Sequence, residues 1–126
     1  EYDGATFYRV METFVIQGGI GGGSIATIND EIGNNNHNTE YTIAMAKTDQ
    51  PNSASSEFFI NTADNSKRIL QDGSKFDDTY TVFGTVIEGQ DVVDEIASAP
   101  VEQNPYTGEI SVPVDPVTII RATIIS

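Results

Sequence analysis

Residues 7–19 read FYRVMETFVIQGG, and this stretch decides what kind of fold the chain can make. It opens as a short apolar run rich in aromatic and β-branched side chains, the mark of a strand, with Arg9 set into it. Glu12 and Thr13 interrupt the run, FVIQ returns as a second strand, and a glycine pair closes it. Alternation puts Phe7, Arg9 and Met11 on one face of the first strand and Tyr8 and Val10 on the other. Arginine is seldom buried without a partner. Arg9 is therefore either an edge residue reaching water, which alternation alone slightly favours, or a donor fork held over a concave apolar surface. Val15 and Gln17 share a face of the returning strand, which makes Gln17 the expected partner of Arg9.

The same signal recurs along the chain, in residues 41–46 (YTIAMA), 57–61 (EFFIN), 80–87 (YTVFGTVI) and 117–125 (VTIIRATII). Six short strands with little helix between them predict an all-β barrel or sandwich. One helix is expected in GQDVVDEIASAP. Asp91 is its N-cap, Val92, Val93, Ile96 and Ala97 are its apolar stripe, and Pro100 is its end. A helical turn is expected around residues 65–70. Residues 18–24 (GGIGGGS), 32–40 (IGNNNHNTE) and 105–116 (PYTGEISVPVDP) read as loops or connections. In EFFI, Glu57 and Phe59 share one face, and Phe58 and Ile60 take the other as ordinary core.

The chain has 126 residues, which suits a single domain over 1–126. Six Lys and Arg against nineteen Asp and Glu give a net charge of −13. That charge repels nucleic-acid phosphates and anionic membrane surfaces, so neither partner is expected. No apolar stretch approaches the ~20 residues that span a bilayer. Cysteine is absent, which removes disulfides and thiolate metal sites. Scarce lysine with plentiful Asn, Thr and Ser leans toward an exported protein and leaves a cytoplasmic one open. The glycine cluster lacks the Lys-Ser/Thr of a phosphate loop and does not fit GxGxxG. His37, the single histidine, reads as a surface loop residue, and a Ser-His-Asp triad would have to use this one ring. Residues 72–78 (DGSKFDD) miss the EF-hand spacing and read as a solvated loop. No metal or cofactor is expected.

Taken together, these stretches resemble the cyclophilins, a family of peptidyl-prolyl cis-trans isomerases. YDGATFYRVMETFVIQGG is similar to the family's YDGxxFHRVxxGFxxQGG. INDEIGNNNHNTEYTIAMAKT resembles its segment ending in a GxLAMA-type strand. PNSASSEFFINTADN resembles PNSxxSQFFI, and TYTVFGTVIEGQDVVDEIAS resembles YxVFGxVxxGxDVVDxI. The motifs run in family order from Tyr2 to about Ile125. The resemblance implies a closed antiparallel β-barrel with a capping helix. The first two strands and first helix of the family pattern would be absent from this chain, which is then partial or completed from elsewhere.

By position, the resemblance implies that Arg9 is the catalytic arginine and Gln17 the glutamine that orients it. Phe14 would floor the proline pocket, with Val15 beside it and Met45 and Phe59 as further walls. Ala46 and Lys47 would grip the residues before proline through their backbone. Tyr80 would lie at the rim, with Phe76, or Leu70 in its place, completing it. Glu57 stands where glutamine is usual. A carboxylate there, close to Arg9, would partly neutralise the guanidinium, so Glu57→Gln is expected to raise kcat/KM. Met11-Glu12-Thr13, Tyr8 and the loop over residues 20–28 also depart from the pattern. The implied activity is rotation about X–Pro bonds in proline-containing peptide or protein clients, with a cyclosporin-type ligand as a further expected binder. The alternative is a binding or assembly module whose catalysis has weakened, which Glu57 and the missing strands favour. A carbohydrate-binding sandwich would need a row of exposed aromatics, and the chain has no tryptophan.

Overall fold

The computed structural model describes residues 4–19, 32, 35–48, 52, 53 and 56–123. Strand β1 (Phe7–Met11) turns into β2 (Val15–Gly18) at the Glu12-Thr13 break. The turn is closed by Phe14 N donating to Met11 O at 3.1 Å and holds Thr13 at φ 62°. β3 (Thr42–Met45), β4 (Phe58–Asn61) and β5 (Val82–Thr85) complete an antiparallel sheet of order β1-β2-β4-β3-β5. A short 3₁₀ helix (Phe76–Asp78) precedes β5, and α1 (Gln90–Ala97) follows it. β6 (Val101–Gln103) and β7 (Ile110–Pro113) pair as a hairpin, and β7 lies against β1.

The period of two divides the apolar residues between two cores. On one face Val10, Ile16 and Ile60 pack under Val93 and Ala97 of α1, with Phe7, Ile43 and Phe58 beside them. On the other face Val15, Ala44, Ala46 and Phe59 pack against Phe76, with Phe14 and Tyr80 at the margin. The second face carries the candidate site.

Five expectations are corrected. Phe7 does not share a face with Arg9. The β1–β2 register jumps from Phe7↔Gly18 to Arg9↔Gln17, so Tyr8 is an extra, bulged residue and the alternation resets. Phe7 then packs with Val10, and Tyr8 joins Arg9 on the site face. The helix is capped by Gly89 at φ 82°, not by Asp91, and Val92 is left more than half exposed. Residues 105–116 are not merely a connection, because they contain β7. Residues 65–68 form a turn, with Arg68 N donating to Asn65 O, Ile69 bridges to Lys75, and the helical turn falls at Phe76–Asp78 instead. The expected strand over 117–125 is shortened, among the described residues, to 117–119, which pair antiparallel with residues 4–7 through Gly4 N to Ile119 O, Ile119 N to Ala5 O and Phe7 N to Val117 O around the Thr6–Thr118 bridge, and Ile120 is exposed. The glycine loop beyond Gly19 lies outside the described residues.

Barrel closure is not what the described residues form. β1 and β5 end the sheet, and the architecture is a mostly β fold with one helix.

Candidate active site

On the second face a cavity of about 110 Å³ opens between β1, β2, β4 and the segment after β3. It is lined by Arg9, Phe14, Val15, Gln17, Ala46, Lys47, Phe59, Phe76 and Tyr80. Strand periodicity puts them together. Arg9 stands opposite Gln17 across β1–β2, and Gln17 stands opposite Phe59 across β2–β4. The aromatic walls meet edge to face. Phe14–Phe76 centroids are 5.8 Å apart, Phe59–Phe76 5.7 Å and Phe59–Tyr80 5.3 Å. Such contacts fix rings beyond what area burial alone achieves. Burial raises the Tyr80 hydroxyl above the usual tyrosine range.

Arg9 sits on the end strand β1, but its guanidinium lines the cavity and is held by partners. Its Nη1 donates to Gln17 Oε1 at 3.1 Å, as expected. Its other side is gripped by Glu109, with Nε–Oε1 at 2.7 Å and Nη2–Oε2 at 2.9 Å. The Arg9 carbon Cζ lies 5.6 Å from the Phe14 ring centroid. Hydrogen bonding from Arg9 pulls the Glu109 carboxyl down to about 2, against the opposing effect of its partial burial. The Glu109 hydrogen bond likewise raises Arg9.

Ten of the eleven predicted site residues can be located on this face, nine of them lining the cavity and Glu57 just beyond it. Met45 is the exception. Ala44 and Ala46 belong to the cavity-side core and Ile43 to the other, so alternation turns Met45 away from the cavity. Leu70, the stated alternative to Phe76, packs at the margin of the same core.

Glu57 is also corrected. The carboxyl partner of Arg9 is Glu109. Glu57 instead accepts a hydrogen bond from the Tyr8 hydroxyl and stands 3.5 Å from Gln17 Nε2. Gln17 Nε2 also donates to the Tyr8 hydroxyl at 2.9 Å. Burial, then the Glu57 hydrogen bond, raises the Tyr8 phenol far above its usual range. The Tyr8 bulge is what brings this phenol to the site face. A second hollow beside the first is lined by Tyr8, Gln17, Ala46, Lys47, Thr48, Ser53 and Glu57.

Glu109 is not among the expected site residues, since residues 105–116 read as a connection. The signal was present: PYTG is a turn, and EISVP alternates after it. His37 is on the surface as expected, with Nδ1 3.0 Å from Asp77 Oδ2. Asp77, however, does not belong to a solvated loop, since its side chain is only 14% exposed and its Oδ1 accepts from Asn38 N at 2.7 Å.

The fold is that of the cyclophilins. A cyclophilin-type peptidyl-prolyl cis-trans isomerase from Cryptosporidium parvum, crystallised in the presence of the dipeptide Ala-Pro, superposes with a TM-score of 0.75 at 25% identity, covering 99% of this chain and 77% of that one. Residues 1–124 match the family model described as cyclophilin type peptidyl-prolyl cis-trans isomerase/CLD. A peptidyl-prolyl cis-trans isomerase from Acinetobacter baylyi is 44% identical over 129 residues, covering 98% of this chain and 66% of the relative. One from Streptomyces antibioticus is 43% identical over 132 residues, covering 98% of this chain and 77% of the relative. The chain belongs to the cyclophilin-type peptidyl-prolyl cis-trans isomerases, and spans about two thirds of the Acinetobacter relative.

Proposed function

We propose that this chain carries the catalytic face of a peptidyl-prolyl cis-trans isomerase, with Arg9 as the catalytic residue and the 110 Å³ cavity as the seat of the proline ring. The observation that carries this reading is the Arg9 guanidinium, held by Gln17 and Glu109 at the rim of an aromatic hollow.

Rotation about an X–Pro bond is slow because amide conjugation sets a barrier of ~18–20 kcal/mol. No bond breaks, so neither a nucleophile nor a redox step is required. At the half-turned state conjugation is lost and the proline nitrogen becomes a better hydrogen-bond acceptor. A guanidinium N–H aimed at that nitrogen binds the twisted state more strongly than either planar one, which lowers the barrier. Arginine suits the task because it stays charged and presents a rigid fork. Phe14, Val15, Phe59 and Phe76 hold the ring still. Ala46, Lys47 and Tyr80 at the rim take the residues before proline, while the acyl group turns. Clients are proline-containing peptides or proteins, and a cyclosporin-type ligand would occupy the same hollow. The same reading extends to the fold: a closed barrel of the family type would need further strands paired with the sheet ends at β1 and β5.

The test is an isomerisation assay on a prolyl tetrapeptide with the complete protein. Arg9→Ala should lower kcat/KM by two orders of magnitude or more while the circular dichroism spectrum is kept; unchanged turnover would remove Arg9 from the mechanism. Cyclosporin-type binding without any turnover would assign the chain to the alternative, a binding or assembly module.

A further inference from the structure

Behind the aromatic walls runs a chain of amides that the mechanism above does not use. Asn38, Asn61 and Asn65 are fully buried. Their side chains join head to tail: Asn65 Nδ2 donates to Asn61 Oδ1 at 2.8 Å, and Asn61 Nδ2 to Asn38 Oδ1 at 3.0 Å. Asn38 Nδ2 then donates to Asp77 Oδ1 at 3.1 Å. The other end is closed by a cation, because Arg68 Nε donates to Asn65 Oδ1 at 3.0 Å. Every link points the same way, from guanidinium to carboxyl, so each amide polarises the next.

Both ends of this chain hold cavity walls. Asn65 Nδ2 also donates to Phe14 O at 2.8 Å. Asn38 Nδ2 reaches Tyr80 O at 3.3 Å, and Asn36 Nδ2 donates to Asp77 O at 2.7 Å and Tyr80 O at 2.8 Å. Arg68 does more than close the chain. Its Cζ sits 4.3 Å from the Phe14 ring centroid, nearer than the 5.6 Å of Arg9. Yet Arg68 is exposed and does not line the cavity.

We propose that Arg68 is a positioning residue for the proline cavity: stacked on Phe14 and anchored through Asn65 to the buried amide chain, it fixes the floor ring against the Phe76 and Tyr80 wall. This rests on the assignment of the cavity to a proline ring. Arg68 never meets the reacting atoms. A held floor serves the planar and twisted forms of the substrate alike, so its loss should appear in KM rather than kcat.

The experiment compares wild type, Arg68→Ala, Arg68→Lys, Asn65→Ala and the double alanine variant, in the complete protein, on an uncharged prolyl tetrapeptide. Arg68→Ala should raise KM about three- to tenfold, the size of one exposed cation–π contact with one hydrogen bond, and leave kcat within about twofold. Arg68→Lys keeps a cation but not the planar fork, and should recover only part of the loss. The KM effects of Arg68→Ala and Asn65→Ala should be markedly less than additive, because both act through Phe14. The ¹³C relaxation of the Phe14 ring should report greater motion in Arg68→Ala. An unchanged KM, additive effects or an unaltered Phe14 ring would overturn the proposal. So would a loss seen only with acidic peptides, which would make Arg68 a direct charge contact. If the wild type fails to turn over, the assigned function falls, and Phe14 ring relaxation still decides the role of Arg68.

Discussion

Glu109, carried on the loop entering β7, grips Arg9 by both carboxylate oxygens, at 2.7 and 2.9 Å. With Gln17 on Nη1, these contacts engage Nε and one N–H on each terminal nitrogen. A guanidinium has five N–H donors, so one remains on Nη1 and one on Nη2 outside these contacts. Glu109 has two opposed effects, fixing the plane of the fork and offsetting its charge. Both side chains are about 30% exposed, at 32% and 29%, so solvent screens the charge effect, while orientation is not screened. Glu109→Ala should therefore lower kcat by about tenfold with a smaller change in KM, on the general scale of misplacing a catalytic group. Steady-state kinetics on the variant checks this, and a rise in kcat would mean that charge neutralisation dominates.

The same pair sets a pH response. Glu109 is held at about 2, below its ordinary 4.5. A carboxyl depressed by folding adds stability that is fully present above its unfolded value and is lost as pH falls through the folded one. The stability difference between wild type and Glu109→Gln should thus be constant above about pH 5.5 and shrink toward zero between about pH 4.5 and 2. Thermal unfolding of both proteins across that range measures it. Taking the difference removes the effect of the many other acidic groups. A difference that stays constant down to pH 2 would show that Glu109 is not held low.

Glu57 reaches Arg9 only through its neighbours. Its partners are the Tyr8 hydroxyl and, more loosely, Gln17, so it does not neutralise Arg9 directly. Glu57→Gln preserves an acceptor for Tyr8, and should change kcat/KM by less than about threefold, the scale of one modest hydrogen bond. Tyr8→Phe in the Glu57→Gln background should add little. A gain of tenfold or more in Glu57→Gln would restore the direct effect on Arg9 that the sequence suggested.

What the sequence made legible is what period-two alternation carries. It brought Arg9, Gln17, Val15 and Phe59 to one face and Ile16, Phe58 and Ile60 to the other. It failed at Tyr8, because a bulge adds a residue without any change in composition and resets the parity of β1. Met45 was placed by resemblance and not by alternation: the order of motifs gives proximity to a pocket, whereas the strand face, which alternation carries, points Met45 away from it. Glu109 lies a hundred residues from Arg9, and a pairing so distant leaves no local trace. The buried asparagines hid for another reason. Asn36 and Asn38 sit in a run that is polar throughout, and polarity in a loop does not distinguish a solvated amide from one enclosed in a network.

The glycine pair that closes β2 has a steric cause that can be tested directly. A Cβ on Gly18 would lie 2.6 Å from Thr6 O and 3.2 Å from Phe7 Cα, so β1 approaches β2 closely where the Tyr8 bulge begins. Gly19 sits at φ +92°, and a Cβ there would lie 2.8 Å from Phe58 Cδ1 and 2.9 Å from Ser56 O. The obstruction at Gly18 is backbone, which cannot rotate aside. Gly18→Ala should force the β1 entry away from β2 and cost about 1–3 kcal/mol, the range for overpacking a tight site. Because Phe7 and Tyr8 would shift together, the Tyr8–Gln17–Glu57 contacts should loosen as well, and kcat/KM should fall along with stability. Urea unfolding monitored by tyrosine fluorescence gives the first quantity, and the tetrapeptide assay well below the unfolding midpoint gives the second. A Gly18→Ala protein as stable as wild type would mean that the strands do not approach as closely as this geometry requires.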